Sequence, residues 1–178
     1  MPEHSKAAYL ADFVLYSIAV LALALFLIVA GPASQRLELS GLVLLGLMSW
    51  TAVEYFIHRI ILHRVPPFLQ WHEAHHRRPA ALIRTPTILS ASLILILIFV
   101  PIWVFSSNLW KACALTLGLL VGYLCYTITH HAIHHWPTKY KWLKRRQQWH
   151  GLHHDGRESG RYGVTSQFWD RIFGSTGD

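Results

Sequence analysis

Four apolar stretches, each of about twenty residues, constrain this chain more than any other feature of its sequence. A helix needs that length of mostly apolar residues to cross the hydrocarbon core of a bilayer. Hydrophobic residues make up 53% of the 178-residue chain and charged residues only 14%, which is too apolar for a typical soluble domain. We therefore predict an all-α integral membrane protein, a single domain over residues 1–178, with spans at 7–30, 42–62, 88–105 and 109–129.

The first stretch has the position of a signal peptide, but three features argue against cleavage. Its apolar run is long, Asp12 interrupts its start, and no clean small-residue cleavage site follows. We expect it to be a membrane span.

The charges between the spans predict their orientation. Segments 31–41 and 106–108 are short and nearly free of basic residues, whereas segment 58–86 carries five arginines against one acid. The tail adds eight basic residues: Lys139, Lys141, Lys144, Arg145, Arg146, Arg157, Arg161 and Arg171. Positively charged segments stay in the cytoplasm. We thus expect a four-helix bundle of two hairpins with both termini cytoplasmic, in a bacterial inner membrane because the loops are short and no organelle signal is present.

Twelve of the thirteen histidines lie between positions 58 and 154, in four clusters. The clusters are an H-x4-H at His58 and His63, an H-x2-H-H at His72, His75 and His76, the "HHAIHH" of His130, His131, His134 and His135, and an H-x2-H-H at His150, His153 and His154. The charge pattern places all four on the cytoplasmic side, as boxes at 58–76 and 130–154 followed by a tail at 155–178. The basic segments are not interleaved with solvent-facing aromatic residues, so we expect no nucleic-acid partner.

The spacing of the histidines is that of metal ligands. Residues four apart on a helix share a face, so His130 can join His134, and His131 can join His135, while the two pairs diverge by about 100°. Neutral imidazole suits iron, zinc, copper and nickel. About ten histidines exceed the needs of one ion, which predicts a two-metal cap. Glu54, an acid inside a span, is expected to accept the second N–H of a ligand histidine.

The clusters resemble those of the fatty acid hydroxylase/sterol desaturase superfamily. The segments "EYFIHRIILH" (54–63), "HEAHHRRP" (72–79), "HHAIHH" and "HGLHH", the last followed by "YGVTSQFWDRIFGS", are most similar to fatty acid 2-hydroxylases, and the carotenoid hydroxylases are the next most similar group. The resemblance covers about residues 50 to 174.

That resemblance implies a site of two iron ions, although a site of many histidines also accepts zinc in the isolated protein. The implied ligands are His58, His63, His72, His75, His76, His130, His134, His150, His153 and His154. The spacing in carotenoid hydroxylases would instead pair His130 with His135. The alternative ligands, or residues that support the ligands without binding the metal, are then His131, His135 and Glu54. No catalytic residue beyond the ligands and no organic cofactor site is expected.

The resemblance also implies a reaction, in which O2 and two external electrons hydroxylate an unactivated C–H bond of a bilayer lipid. The sequence contains no cytochrome b5 segment and no dinucleotide fingerprint, so we expect a separate donor of cytochrome b5 or ferredoxin type. The same metal core would serve a carotenoid or sterol hydroxylase or a lipid desaturase. A metal-binding membrane protein without enzyme activity is a further alternative, although the spans offer few polar residues for moving an ion.

Overall fold

The computed structural model describes residues 3–155 and 160–177, and these residues form helices without any strand. The helices are α1 Lys6–Ala30, α2 Arg36–Phe56, α3 Phe68–Arg77, α4 Thr87–Ile94, α5 Val100–Ser106, α6 Leu109–His135, α7 Lys141–His154 and α8 Phe168–Ile172. A 3-10 turn, Ala33–Gln35, precedes α2. Two π-helical turns extend helices, Ile57–Leu62 after α2 and Leu95–Phe99 between α4 and α5. Arg157 of the predicted basic tail lies outside the described residues.

Four helical stretches are long and apolar enough to cross a membrane: Lys6–Ala30, Ala33–Leu62, Thr87–Ser106 and Leu109–His135. The predictions of an all-α class and of four spans are confirmed. The second helical stretch begins at Ala33, before the expected start of the span at 42, and the fourth continues to His135, beyond the expected end of the span at 129. Hydropathy marks only the apolar part of a helix, and the fourth helix continues until Pro137 disfavours helical backbone at the preceding residue.

Side chains along the first span are strongly exposed although they are apolar. Ile18, Leu21, Ile28 and Val29 are 60–74% exposed. Apolar side chains facing outward along a whole helix are typical of contact with lipid. The protein is therefore an integral membrane protein.

The described residues divide into two compact units. The span unit comprises residues within Leu10–Trp50 and Thr85–Leu124, and the histidine unit comprises residues within Met1–Tyr9, Thr51–Arg84 and Cys125–Asp178. The expectation of one membrane domain stays a prediction.

In the span unit, α2 and α6 approach each other at two glycines. A Cβ on Gly118 would collide with backbone atoms of Val43 and Leu47, and one on Gly46 would collide with backbone atoms of α6. Small residues let membrane helices pack closely in the absence of a hydrophobic driving force. Elsewhere in this unit α1 is held by an aromatic stack, with 4.9 Å between the ring centroids of Phe26 and Trp110.

In the histidine unit, a small apolar core lies beneath the histidine-bearing helices. Ala132 and Ile133 of α6 pack with Leu143 of α7 and with Val164, which belongs to the loop before α8. Trp169 of α8 donates its indole N–H to the Thr51 hydroxyl at 3.1 Å. These contacts fix the ends of α2 and α6, the helix α7 and residues 160–167, which we call the C-terminal loop, around the histidines.

Candidate metal centre

Ten histidines form two groups of five in the histidine unit. In each group one ring nitrogen from every member lies within 4.8 Å of those of the others. The first group is His58, His63, His72, His76 and His153, and the second group is His75, His130, His134, His150 and His154. The ten histidines that the structure brings together are the same ten that the sequence motifs indicate as ligands.

The two H-x2-H-H motifs divide between the groups in a reciprocal way. On α3 the i,i+4 pair, His72 and His76, joins the first group, and His75 joins the second. On α7 the i,i+4 pair joins the second group, and His153 joins the first. On a helix, residue i+3 lies to one side of residue i and residue i+4 lies to the other side. One helix can therefore reach two centres. The sequence motif alone did not indicate this division.

The π-helical turn Ile57–Leu62 brings His58 and His63 into one group. At 100° per residue, five residues of α-helix would place these two side chains about 140° apart. Hydrogen bonds of the i→i+5 type widen the turn, so residues five apart lie one above the other. The ring centroids of His58 and His63 are 5.3 Å apart and the rings are stacked. The H-x4-H spacing is the only sequence signal of this turn.

The distances within the first group fit metal ligation better than hydrogen bonding. The Nε2 atom of His72 lies 3.0 Å from the Nε2 atoms of His58, His63 and His76. A ring nitrogen carries one proton or one lone pair, and one such atom cannot satisfy three neighbours. Two nitrogens bound at right angles to one metal by bonds of about 2.1 Å would lie about 3.0 Å apart. The donor set therefore fits a metal ion.

The second group has the same arrangement around His150. Its Nε2 atom lies 3.0–3.1 Å from those of His130, His134 and His154. His75 completes this group from α3, and its ring centroid is 4.8 Å from that of His134. His150 is only 1% exposed. A buried convergence of nitrogen lone pairs also fits a metal ion.

Two backbone carbonyls orient rings of the first group. His58 Nδ1 donates to the Tyr162 carbonyl at 2.5 Å, and His153 Nδ1 donates to the Gly160 carbonyl at 2.7 Å. Because a carbonyl only accepts, these bonds assign the proton to Nδ1. The Nε2 atoms of both rings then present lone pairs to the centre of the group.

Burial keeps the imidazoles of α3 and α7 neutral. Desolvation and repulsion from neighbouring histidines lower the pKa of His75 to about 2 and those of His76 and His154 to about 3. For His153, desolvation lowers the pKa to about 4, against the opposing effect of its bond to Gly160. Neutral rings hold lone pairs available for a metal at any physiological pH.

The other two histidines of "HHAIHH" lie outside both groups. His131 and His135 stack on each other with ring centroids 4.4 Å apart, and the Tyr9 hydroxyl lies 3.1 Å from His131 Nδ1. The structure thus brings His134, rather than His135, together with His130.

Glu54 contacts the C-terminal loop rather than orienting His58. Its Oε1 accepts the backbone N–H groups of Val164 and Thr165 at 2.7 and 2.9 Å, and its Oε2 accepts the Thr165 hydroxyl. The Nδ1 proton of His58 goes to the Tyr162 carbonyl, and a bond from Glu54 to a ligand histidine stays a prediction. Glu54 therefore holds residues 164 and 165 of the loop.

Sequence reasoning missed Asp170, which is fully buried. Its Oδ1 accepts the Tyr162 N–H at 2.8 Å and the Ser175 hydroxyl at 2.9 Å, and its Oδ2 accepts the Gly163 N–H at 2.9 Å. An acid two residues after a phenylalanine gives no signal of such a role in sequence.

Residues 43–175 match the family model described as fatty acid hydroxylase. The chain is 32% identical over 149 residues to a dihydroceramide fatty acyl 2-hydroxylase of Arabidopsis thaliana, a match covering 78% of this chain and 61% of that protein. It is 35% identical over 151 residues to the ceramide very long chain fatty acid hydroxylase scs7 of Schizosaccharomyces pombe, covering 75% and 42%.

A solved structure of scs7p, in which only the hydroxylase domain is visible, has a similar fold. The TM-score is 0.76 at 25% identity, over 94% of this chain and 66% of that one. The chain thus spans less than two thirds of the relatives that it matches.

Proposed function

Because this chain belongs to the fatty acid hydroxylase family, we propose that it is a membrane-bound enzyme that hydroxylates a lipid acyl chain. The Arabidopsis thaliana relative is named for the 2-hydroxylation of a fatty acyl group of dihydroceramide, and the Schizosaccharomyces pombe relative for the hydroxylation of a very long chain fatty acid of ceramide. The first of these names favours carbon 2 of an acyl chain as the site of oxidation. The strongly exposed apolar spans support a substrate that comes from the bilayer.

The observation that carries the proposal is the pair of five-histidine groups. One iron ion in each group would supply the activation of O2, and the same histidines would also accept zinc in the isolated protein. The ten histidines would hold the metals, and burial of His58, His75, His150 and His153 would exclude water from them. The overall reaction consumes one C–H bond, O2, two electrons and two protons, and it yields an alcohol and water.

The electrons would come from a separate protein of cytochrome b5 or ferredoxin type. The outer face of α7 is a suitable docking surface, since Lys141, Lys144 and Arg145 are exposed. The same helix carries His150, His153 and His154. A basic surface attracts an acidic redox protein and speeds its association.

The excess of basic residues beside the histidines favours a cytoplasmic site, with both termini on the same side. A bacterial inner membrane is the proposed location. A reporter fused to either terminus, and active only in the cytoplasm, would test this orientation.

Labelled oxygen tests the reaction itself. The protein is produced in a host without 2-hydroxylated lipids, under 18O2, and the lipids are analysed by mass spectrometry. We expect acyl chains that gain one labelled oxygen at carbon 2. A mass decrease of two hydrogens without label would instead identify a desaturase, and unlabelled, unchanged lipids with a competent donor present would contradict the proposal.

A matched pair of variants on α6 controls this experiment. His130→Ala removes a member of the second group, whereas His131→Ala changes the adjacent histidine outside both groups. We expect His130→Ala to abolish product and His131→Ala to retain it.

A further inference from the structure

The C-terminal loop fixes two of the five rings of the first group. The loop supplies the carbonyls of Gly160 and Tyr162, and these accept the Nδ1 protons of His153 and His58. Such outer hydrogen bonds hold a ligand ring in one orientation and one tautomer, and they raise its basicity toward the metal. The loop thus acts on two of the five members of this group.

The second group lacks equivalent support. The Nδ1 atoms of His75 and His150 are buried, and within residues 3–155 and 160–177 neither has a hydrogen-bond partner. His75 lies on α3 and His150 on α7. Their positions depend on the packing of those helices rather than on a bond at the second ring nitrogen.

Asp170 fixes the carbonyl-bearing segment of the loop. Both of its oxygens accept backbone N–H groups, from Tyr162 and from Gly163. Ser175 connects the same carboxylate to the beginning of the loop, because its hydroxyl donates to Asp170 Oδ1 and its carbonyl accepts the Arg161 N–H at 2.7 Å. The peptide units that carry the Gly160 and Tyr162 carbonyls are thereby held in place, through the N–H groups of Arg161 and Gly163.

We infer that the two metal positions are unequal, with the first group holding its ion more tightly than the second, and that Asp170 is the positioning residue behind the difference. The inference rests on the proposed function, since it takes each group to bind one ion. Loss of outer-shell partners typically changes metal affinity 10- to 100-fold. A difference of about that size is expected between the two ions.

Asp170→Asn removes this support with almost no change in shape. Whichever way the new amide is turned, its NH2 group faces a backbone N–H, that of Tyr162 or that of Gly163. Two donors cannot bond each other, so the loop must shift. Glu54→Gln is the matched control, because it also removes one buried negative charge beside this loop. In Glu54→Gln the amide oxygen can still accept the backbone N–H groups of Val164 and Thr165. The new NH2 group faces the Thr165 hydroxyl, which can accept a hydrogen bond as well as donate one.

Zinc release tests the inference. The purified full chain in detergent is loaded with Zn²⁺, freed of excess metal and mixed with a chromophoric chelator. We expect one ion per chain in a fast phase and one in a slow phase, with rates about 10- to 100-fold apart. Asp170→Asn should accelerate the slow phase by a similar factor, and Glu54→Gln should leave both phases in place.

Two ligand variants assign the phases, and they keep the test decisive if Asp170→Asn does not fold. His134→Ala disrupts the second group and should retain only the slow ion. His63→Ala disrupts the first group and should retain only the fast ion. Circular dichroism verifies that each variant is helical.

The possible failures are distinguishable. Release of two ions in one phase, or a slow ion retained by His63→Ala, would overturn the inference and leave the two-metal centre standing. Equal acceleration by Glu54→Gln and Asp170→Asn would assign the effect to charge and overturn the role of Asp170. Folded protein that binds no zinc would overturn the proposed metal centre as well.

Discussion

Replacing Gly163 with alanine should destabilise the protein, although alanine is usually the better residue. A Cβ at this position would collide with the Ser166 carbonyl oxygen and lie 2.8 Å from Asp170 Oδ2. Overpacking against backbone costs about 1–3 kcal/mol. Displacing the Gly163 N–H from the Asp170 carboxylate adds about 1.5–3 kcal/mol, since that hydrogen bond is buried and charged. We expect a total of about 2.5–6 kcal/mol.

Gly151→Ala is the control with the opposite sign. Gly151 lies within α7 and a Cβ there would meet nothing within 4 Å. Alanine is favoured over glycine in a helix by about 0.5–1 kcal/mol, so this variant should be neutral or slightly stabilised.

Thermal unfolding in detergent, followed by circular dichroism at one scan rate, compares the two variants. For a chain of this size, about 2.5–6 kcal/mol corresponds to a decrease of roughly 5–24 °C in the unfolding midpoint. Because membrane proteins often unfold irreversibly, the comparison is made between variants under identical conditions. A Gly163→Ala midpoint equal to or above that of Gly151→Ala would refute the account of the C-terminal loop.

Two further predictions concern helix packing and electron supply. Gly46→Ala should lower the unfolding midpoint because its Cβ would collide with the α6 backbone. Gly41→Ala on the same helix should not lower it, because a Cβ there would meet nothing within 4 Å. Equal midpoints would contradict the close α2–α6 contact. Reversing charge with Lys144→Glu and Arg145→Glu should slow turnover with an acidic protein donor by about tenfold or more at low ionic strength, and less in high salt. Turnover with a small chemical reductant should not change, and an equal loss with both donors would argue against docking on α7.

The set of histidines that share the site could be predicted from the sequence, because the periodicity of a helix depends only on residues close together in the chain. Spacing of three and four residues predicts a shared side of a helix wherever helix forms, and the charge pattern predicts a common membrane face. The fatty acid 2-hydroxylase motifs then indicated the family, and the match over residues 43–175 confirms it. The choice between His134 and His135 as partner of His130 stayed open, because a π-helical turn would bring His135 rather than His134 beside His130, and the sequence does not show that α6 is α-helical through His135.

Contacts between residues far apart in the chain could not be predicted from the sequence. The Glu54 carboxylate meets the N–H of Val164, 110 residues later in the chain, and no local pattern encodes that meeting. The π-helical turn after α2 is similarly hidden, since "IHRIIL" also suits an ordinary α-helix. Both features bear on the ligands, which is where a local expectation is often overridden.

The number of metal ions per folded chain decides whether the ten histidines form a two-metal centre. The protein is reconstituted anaerobically with ferrous iron, freed of unbound metal and analysed by plasma mass spectrometry against quantitative amino-acid analysis. We expect two ions per chain in the wild type and in His131→Ala, and fewer in His130→Ala. Folded wild-type protein with no stoichiometric metal, or equal loss in both variants, would contradict a centre built from two groups of five histidines.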